Sequence, residues 1–167
     1  RVPGGEQKED WVTGTSAALA GGVTTVLDMP NTTPAITTKK LLEDKIAHIT
    51  AQQHPIDFGC YIGATNDNLD ELLLVQDLAC GIKIAPYFTG KNGKALIDDV
   101  TALQKVFRAN IRIPIVIHCE DEAIIAHNRE AITDPQSTDH NAIRSQTSAM
   151  SALTRVLLAA RGTRAKI

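Results

Sequence analysis

At 167 residues the chain can bury one sizeable core, and its 43% hydrophobic and 22% charged content is ordinary for a soluble globular domain. A net charge of −2, basic residues scattered without any block of five, and 4% aromatic residues argue against a nucleic-acid partner. No apolar run reaches the roughly 18 residues of a membrane helix, and three cysteines (Cys60, Cys80, Cys119) without a CxxC pair fit neither a disulfide framework nor a zinc knuckle. Reduced thiols in a cytoplasmic protein are the expectation.

Lys8 to Ala20 is predicted as a helix stopped by Gly21-Gly22. Val23 to Leu27 is β-branched and apolar, a buried strand, and the loop Pro30-Asn31-Thr32-Thr33-Pro34 follows it. Thr37 or Thr38 caps a helix running to about Gln53, with Leu41, Leu42, Ile46 and Ile49 on one side. Asp57 to Gly63 is a strand, and Asn66 or Asp67 caps a helix through Leu69, Leu72, Leu73, Val75 and Leu78. Gly81-Ile82-Lys83-Ile84 is a short strand, with a glycine-bearing loop at 89–93 and a helix over about Asp98 to Ala109. Pro114 to Cys119 is the last strand; helices follow over Glu120 to about Ala131 and about Asp139 to Ala160.

Strands and helices alternate, and the strands are continuously apolar, which predicts a parallel α/β sheet buried on both faces. No GxGxxG or GxxxxGK[ST] follows the first strand, which disfavours an open nucleotide-binding sheet. A (β/α)8 barrel takes about 250 residues, so four strands make roughly its first half. No repeat or linker divides residues 1–167, which read as one partial barrel domain. Arg1 to Gly5 reads as a loop already in progress and Arg161 to Lys166 as the lead-in to another strand, the pattern of a segment cut at both ends.

A parallel barrel places its chemistry at the carboxyl ends of its strands. There the first strand delivers Asp28 to Asn31, the third Lys83, and the fourth His118. A lysine between Ile82 and Ile84 either snorkels to solvent or is neutralised by burial, and a neutral amine forms a Schiff base or takes up CO2 as a metal-bridging carbamate. His118 suits a metal ligand, a base or a hydrogen-bonded core residue. Asn31 suits either turn chemistry or donation to a substrate carboxylate, a donation that Arg1 could make bidentately. Glu120, Asp121 and Glu122 read as first-turn acids favoured by a helix dipole, Cys119 as packing, and His48, His54, His127 and His140 as surface residues.

Several stretches resemble the dihydroorotases. They are Arg1-Val2-Pro3-Gly4-Gly5, Thr13 to Thr25 followed by Asp28-Met29-Pro30-Asn31-Thr32-Thr33-Pro34, Asp57-Phe58 through Gly63-Ala64, Gly81 to Ile84, and Ile117-His118-Cys119-Glu120. The resemblance implies a metal-dependent amidohydrolase barrel with two zinc ions bridged by carboxylated Lys83, and with His118 as a ligand of the second metal. Arg1 and Asn31 would grip the carboxylate of a small-molecule substrate, in the reversible hydrolysis of dihydroorotate to N-carbamoyl-aspartate during pyrimidine synthesis. The His-x-His pair of that family is expected before Arg1, and a later histidine and the catalytic aspartate after Ile167. No residue of this segment is therefore assigned the catalytic carboxylate, and the segment by itself is expected neither to hold two zinc ions nor to catalyse. The alternatives are an allantoinase or hydantoinase, a non-catalytic partner of a carbamoyltransferase, and a Schiff-base barrel. A homo-oligomer or a carbamoyltransferase complex is the implied assembly.

Overall fold

The computed structural model describes residues 2–52, 54–85, 97 and 99–167. Helix α1 (Trp11–Ala20) begins three residues after Lys8 because the Asp10 side chain accepts the Thr13 N–H at 2.7 Å, a local N-cap. It ends where Gly22 takes φ +83°, a left-handed turn that lets Val23 N–H reach the Ala18 carbonyl at 2.9 Å. Strand β1 (Thr25–Asp28) follows, and Thr38 caps α2 (Lys39–Thr50) through the Leu41 N–H. Strand β2 (Asp57–Gly63) leads into α3 (Leu69–Leu74). That helix stops before Leu78, and a turn in which Ala79 N–H donates to the Val75 carbonyl at 2.8 Å completes the segment.

Strand β3 (Gly81–Ile84) precedes α4 (Val100–Arg108), which Asp99 caps through Thr101 N–H at 2.8 Å. Strand β4 (Ile115–Ile117) precedes α5 (Glu122–Glu130), capped by Asp121. The single helix expected over 139–160 is broken. A 3-10 turn (Ser137–Asp139) and the short α6 (His140–Ile143) come first; then Ser145 caps α7 (Gln146–Ala160) by accepting from Ser148 N–H at 3.3 Å. A serine hydroxyl competes for helix N–H groups, so it starts a new helix rather than continuing one.

The four strands form one parallel sheet in the order β1-β2-β3-β4, the half-barrel expected of the alternating pattern. Gly81 is required where β3 meets its neighbours. A Cβ there would lie 2.5 Å from the Tyr61 ring and 2.9 Å from the Pro114 carbonyl oxygen. Beyond β4, Ile115 N–H donates to the Lys166 carbonyl at 2.8 Å, so the segment after α7 already runs beside the sheet. The outer layer is helical. Leu42, Ile49, Leu72, Leu103, Phe107 and Val156 are buried with Ile62, Ile82 and Ile84 in one core.

Burial without polar partners is the source of this layer's stability, at about 25 cal/mol per Å² of apolar surface. Leu42, fully buried on α2, is expected to cost about 2–5 kcal/mol when cut to alanine, read from the urea midpoint. Burial also pushes the Cys60 thiol up to about 12 and the Cys80 thiol up to about 11. A protonated thiol is a poor nucleophile. In the folded protein at pH 8, Cys60 should therefore react with a disulfide reagent far more slowly than in denaturant. The sign for stability follows from a raised folded-state value. The contribution is intact below the unfolded thiol's value near 9 and fades as pH climbs from there toward 12, so Cys60→Ala should flatten the alkaline fall in urea midpoint.

Candidate functional site

Strand register decides which side chains share the inner face. Lys83 on β3 pairs with Gly63 on β2 and Val116 on β4. Side chains alternate with period two along a strand, so His118, two residues past Val116, belongs to the Lys83 side. Its backbone N–H still donates to the Ile84 carbonyl at 2.9 Å, which holds it to the end of β3. Gly63 puts no side chain beside the lysine. The other face of the sheet carries Val26, Phe58, Cys60, Ile62, Ile82 and Ile84, packed beneath the helices.

Lys83 is half-buried, and burial draws its ammonium below the usual lysine range, the neighbouring Cys119 thiol opposing that in part. No carboxylate pairs with it among the described residues. A half-buried amine without an anion is easier to deprotonate than a surface lysine. That chemistry fits conversion to a carbamate, whose two oxygens are metal donors. His118 is exposed at the strand end, with Nε2 donating to Glu120 Oε2 at 2.6 Å. Glu120 is ion-paired in turn with Arg144 at the break between α6 and α7. An imidazole whose one nitrogen is oriented by a carboxylate presents a defined ring to a metal. The donor set therefore fits a metal centre, with Lys83 and His118 as the residues able to hold it. Among the described residues no group of three or more histidine, cysteine, aspartate or glutamate side chains forms a complete ligand set.

Glu120 stands just before α5 and neutralises Arg144, where the sequence had suggested a first-turn acid. Asp121 is the cap itself, 3% exposed, accepting from Ala123 N–H at 3.1 Å and Ser151 Oγ at 2.9 Å and pairing with Arg155 at 3.2 Å. It ties the His118 turn to α7. Cys119 packs against the core. His48, His127 and His140 are exposed, whereas His54 packs edge-on against Phe58 with ring centroids 5.2 Å apart.

Asn31 is exposed in the loop after β1, at the same end of the sheet. Arg1 lies outside the described residues, as does the glycine-bearing loop at 89–93. Residues just after Arg1 are fixed to the Asn31 loop. Thr33 N–H donates to the Pro3 carbonyl at 3.1 Å, and Gly4 at φ +86° approaches so closely that a Cβ would lie 2.7 Å from Thr33 Cβ. Behind the loop is a pair that the sequence did not flag, Lys45 with Asp28. Its signal was present. Lys45 falls on the Leu42–Ile49 stripe of α2, where a charged residue has to find a buried partner.

A sequence model of the family described as Dihydro-orotase-like matches residues 1–161. The chain is 41% identical over 129 residues to multifunctional protein CAD of Squalus acanthias, covering 75% of this chain and 6% of that protein. It is 35% identical over 129 residues to a dihydroorotase of Methanosphaera stadtmanae, covering 77% of this chain and 28% of the relative. Among solved structures, the L-hydantoinase of Arthrobacter aurescens superposes with a TM-score of 0.83 at 25% identity, over 93% of this chain and 36% of that one. The chain thus spans under a third of the dihydroorotase it matches. Family match, parallel half-barrel and residue order agree: this chain belongs to the dihydro-orotase-like family.

Proposed function

We propose that the whole protein is a zinc-dependent cyclic amidohydrolase that opens dihydroorotate to N-carbamoyl-aspartate, reversibly, in pyrimidine synthesis. The observation that carries this is the placement of a half-buried lysine, without a carboxylate partner among the described residues, and a carboxylate-oriented histidine on one face at adjacent strand ends. Two zinc ions bridged by carboxylated Lys83, the second also held by His118, are the proposed centre. Zinc supplies Lewis acidity and brings the pKa of water toward neutrality, which suits hydrolysis of an unactivated amide. Lys83 contributes the bridging carboxylate once its amine has added CO2. Glu120, held by Arg144, keeps the His118 ring oriented. Asn31 donates its amide to the substrate carboxylate, and Arg1 is proposed to pair with the same group.

A second reading has its own support, because an allantoinase of Deinococcus radiodurans is 45% identical over 82 residues, 48% of this chain. Allantoin and hydantoin are therefore the competing substrates. A non-catalytic partner role fits less well with Lys83 and His118 both in place. The likeness to multifunctional protein CAD supports a carbamoyltransferase complex as the proposed assembly, with a homo-oligomer as the alternative. Three free cysteines agree with a cytoplasmic location.

The test is ring opening by the whole protein. Activity on dihydroorotate should be lost to a chelator and restored by zinc; a folded, zinc-supplemented protein inactive on dihydroorotate but active on allantoin would replace this reading with the second. Asn31→Ala should raise KM about 10- to 100-fold, the worth of a hydrogen bond to a charged group. Lys83→Ala should lose both bound zinc and activity, and retention of either would remove the lysine from the centre.

A further inference from the structure

Lys45 is 3% exposed, in the middle of α2 on the side that faces the sheet. Its ammonium pairs with Asp28, the last residue of β1, and donates to the Met29 carbonyl at 3.1 Å. The register places Asp28 opposite Cys60, on the helix side of the sheet. The pair therefore lies behind the candidate site, on the opposite face of the sheet from Lys83. A buried ion pair stabilises no better than well-packed apolar residues of the same volume, whereas removing one partner is strongly destabilising. Bulk stability alone gives no reason for a charge here. What the pair does provide is direction, because it fixes two consecutive residues whose chain continues directly to Asn31.

The rest of that loop is held by bonds within it and to the N-terminal segment. Ile36 N–H donates to the Pro30 carbonyl at 3.0 Å, Thr32 Oγ1 donates to the Pro34 carbonyl at 2.7 Å, and Thr33 N–H donates to Pro3. Among the described residues, the Lys45 contacts are the polar ones that connect the start of the loop to α2, across 16 residues of sequence. Asn31, exposed and two residues past Met29, inherits its position from them. We infer that Lys45, with Asp28, is a positioning residue for Asn31, setting the height and angle at which the loop meets the substrate carboxylate. This rests on the proposed substrate role of Asn31. A displacement of about 1 Å in such a group is enough to cost a large factor in rate or binding.

The experiment compares Lys45→Met, the double variant Asp28→Asn/Lys45→Met and Asn31→Ala in the whole zinc-loaded protein. It measures KM and kcat for dihydroorotate beside the urea midpoint. Lys45→Met should raise KM about tenfold with kcat within about twofold, the pattern of lost ground-state binding, and should lower the midpoint. The double variant leaves no unpaired buried charge. It should regain most of the midpoint while keeping the raised KM, since the Met29 carbonyl still lacks its anchor. A purely structural pair would move the midpoint and leave KM alone. If Lys45→Met does not fold, the double variant carries the comparison. A wild-type KM in the double variant, with KM raised in Asn31→Ala, overturns the positioning role and spares the reading of Asn31. A wild-type KM in Asn31→Ala overturns that reading and this inference with it.

Discussion

Everything at the candidate site depends on the in-register parallel pairing of β2, β3 and β4. A slip of one residue would turn each side chain to the opposite face of its strand. Lys83 would then lie under the helices among Ile82's and Ile84's neighbours, and His118 would lose the inner face. The register is held by complementary burial. Ile62, Ile82 and Ile84 are fully buried on the helix side, while Gly63 and Gly81 put no side chain on the other. The close approach at Gly81 permits no side chain, so this residue fixes how tightly β3 sits between Tyr61 and Pro114. Register is strongly specified wherever one face of a sheet is buried.

Charge is then confined to the two ends of the site and satisfied there. On the β1 side, Lys45 and Asp28 sit beneath the loop that bears Asn31. On the β4 side, Glu120 links His118 to Arg144, and Asp121 links the same turn to Ser151 and Arg155 of α7. Both devices attach a loop at a strand end to the helix layer behind it. Loops carry function on such folds, and rigid elements behind them limit how far the functional groups wander. Lys83 differs in kind. It is half-buried and carboxylate-free among the described residues, and that unfavourable state is what prepares an amine to react.

Much of this was legible in the residues. Continuous apolar runs identified β2 and β3 at the bounds observed, and glycine and threonine signals placed the end of α1 and the start of α2. Helix starts were less legible because the decisive partner is a specific cap: Asp10, Asp99 and Asp121 begin their helices two or three residues later than periodicity suggests. The break at Ser145 was hidden inside an otherwise helical pattern, since serine is tolerated within helices as well as at their starts. Lys83 and His118 stood out as polar residues in apolar strands. Lys45 did not, because lysine in a helix ordinarily faces water, and its place on the Leu42–Ile49 stripe was the one sign that this one does not. Glu120 was read through the helix dipole, while its partners, one two residues away and one 24 residues away, decide its role.

Carbon-13 NMR of the whole protein, loaded with zinc in labelled bicarbonate, tests the central claim that Lys83 is the carbamate bridging a metal pair with His118 beside it. The account predicts a protein-bound carbamate resonance that disappears in Lys83→Arg together with bound zinc, while His118→Ala loses part of the zinc. A zinc-loaded protein with no such resonance, or one that keeps it in Lys83→Arg, would contradict it.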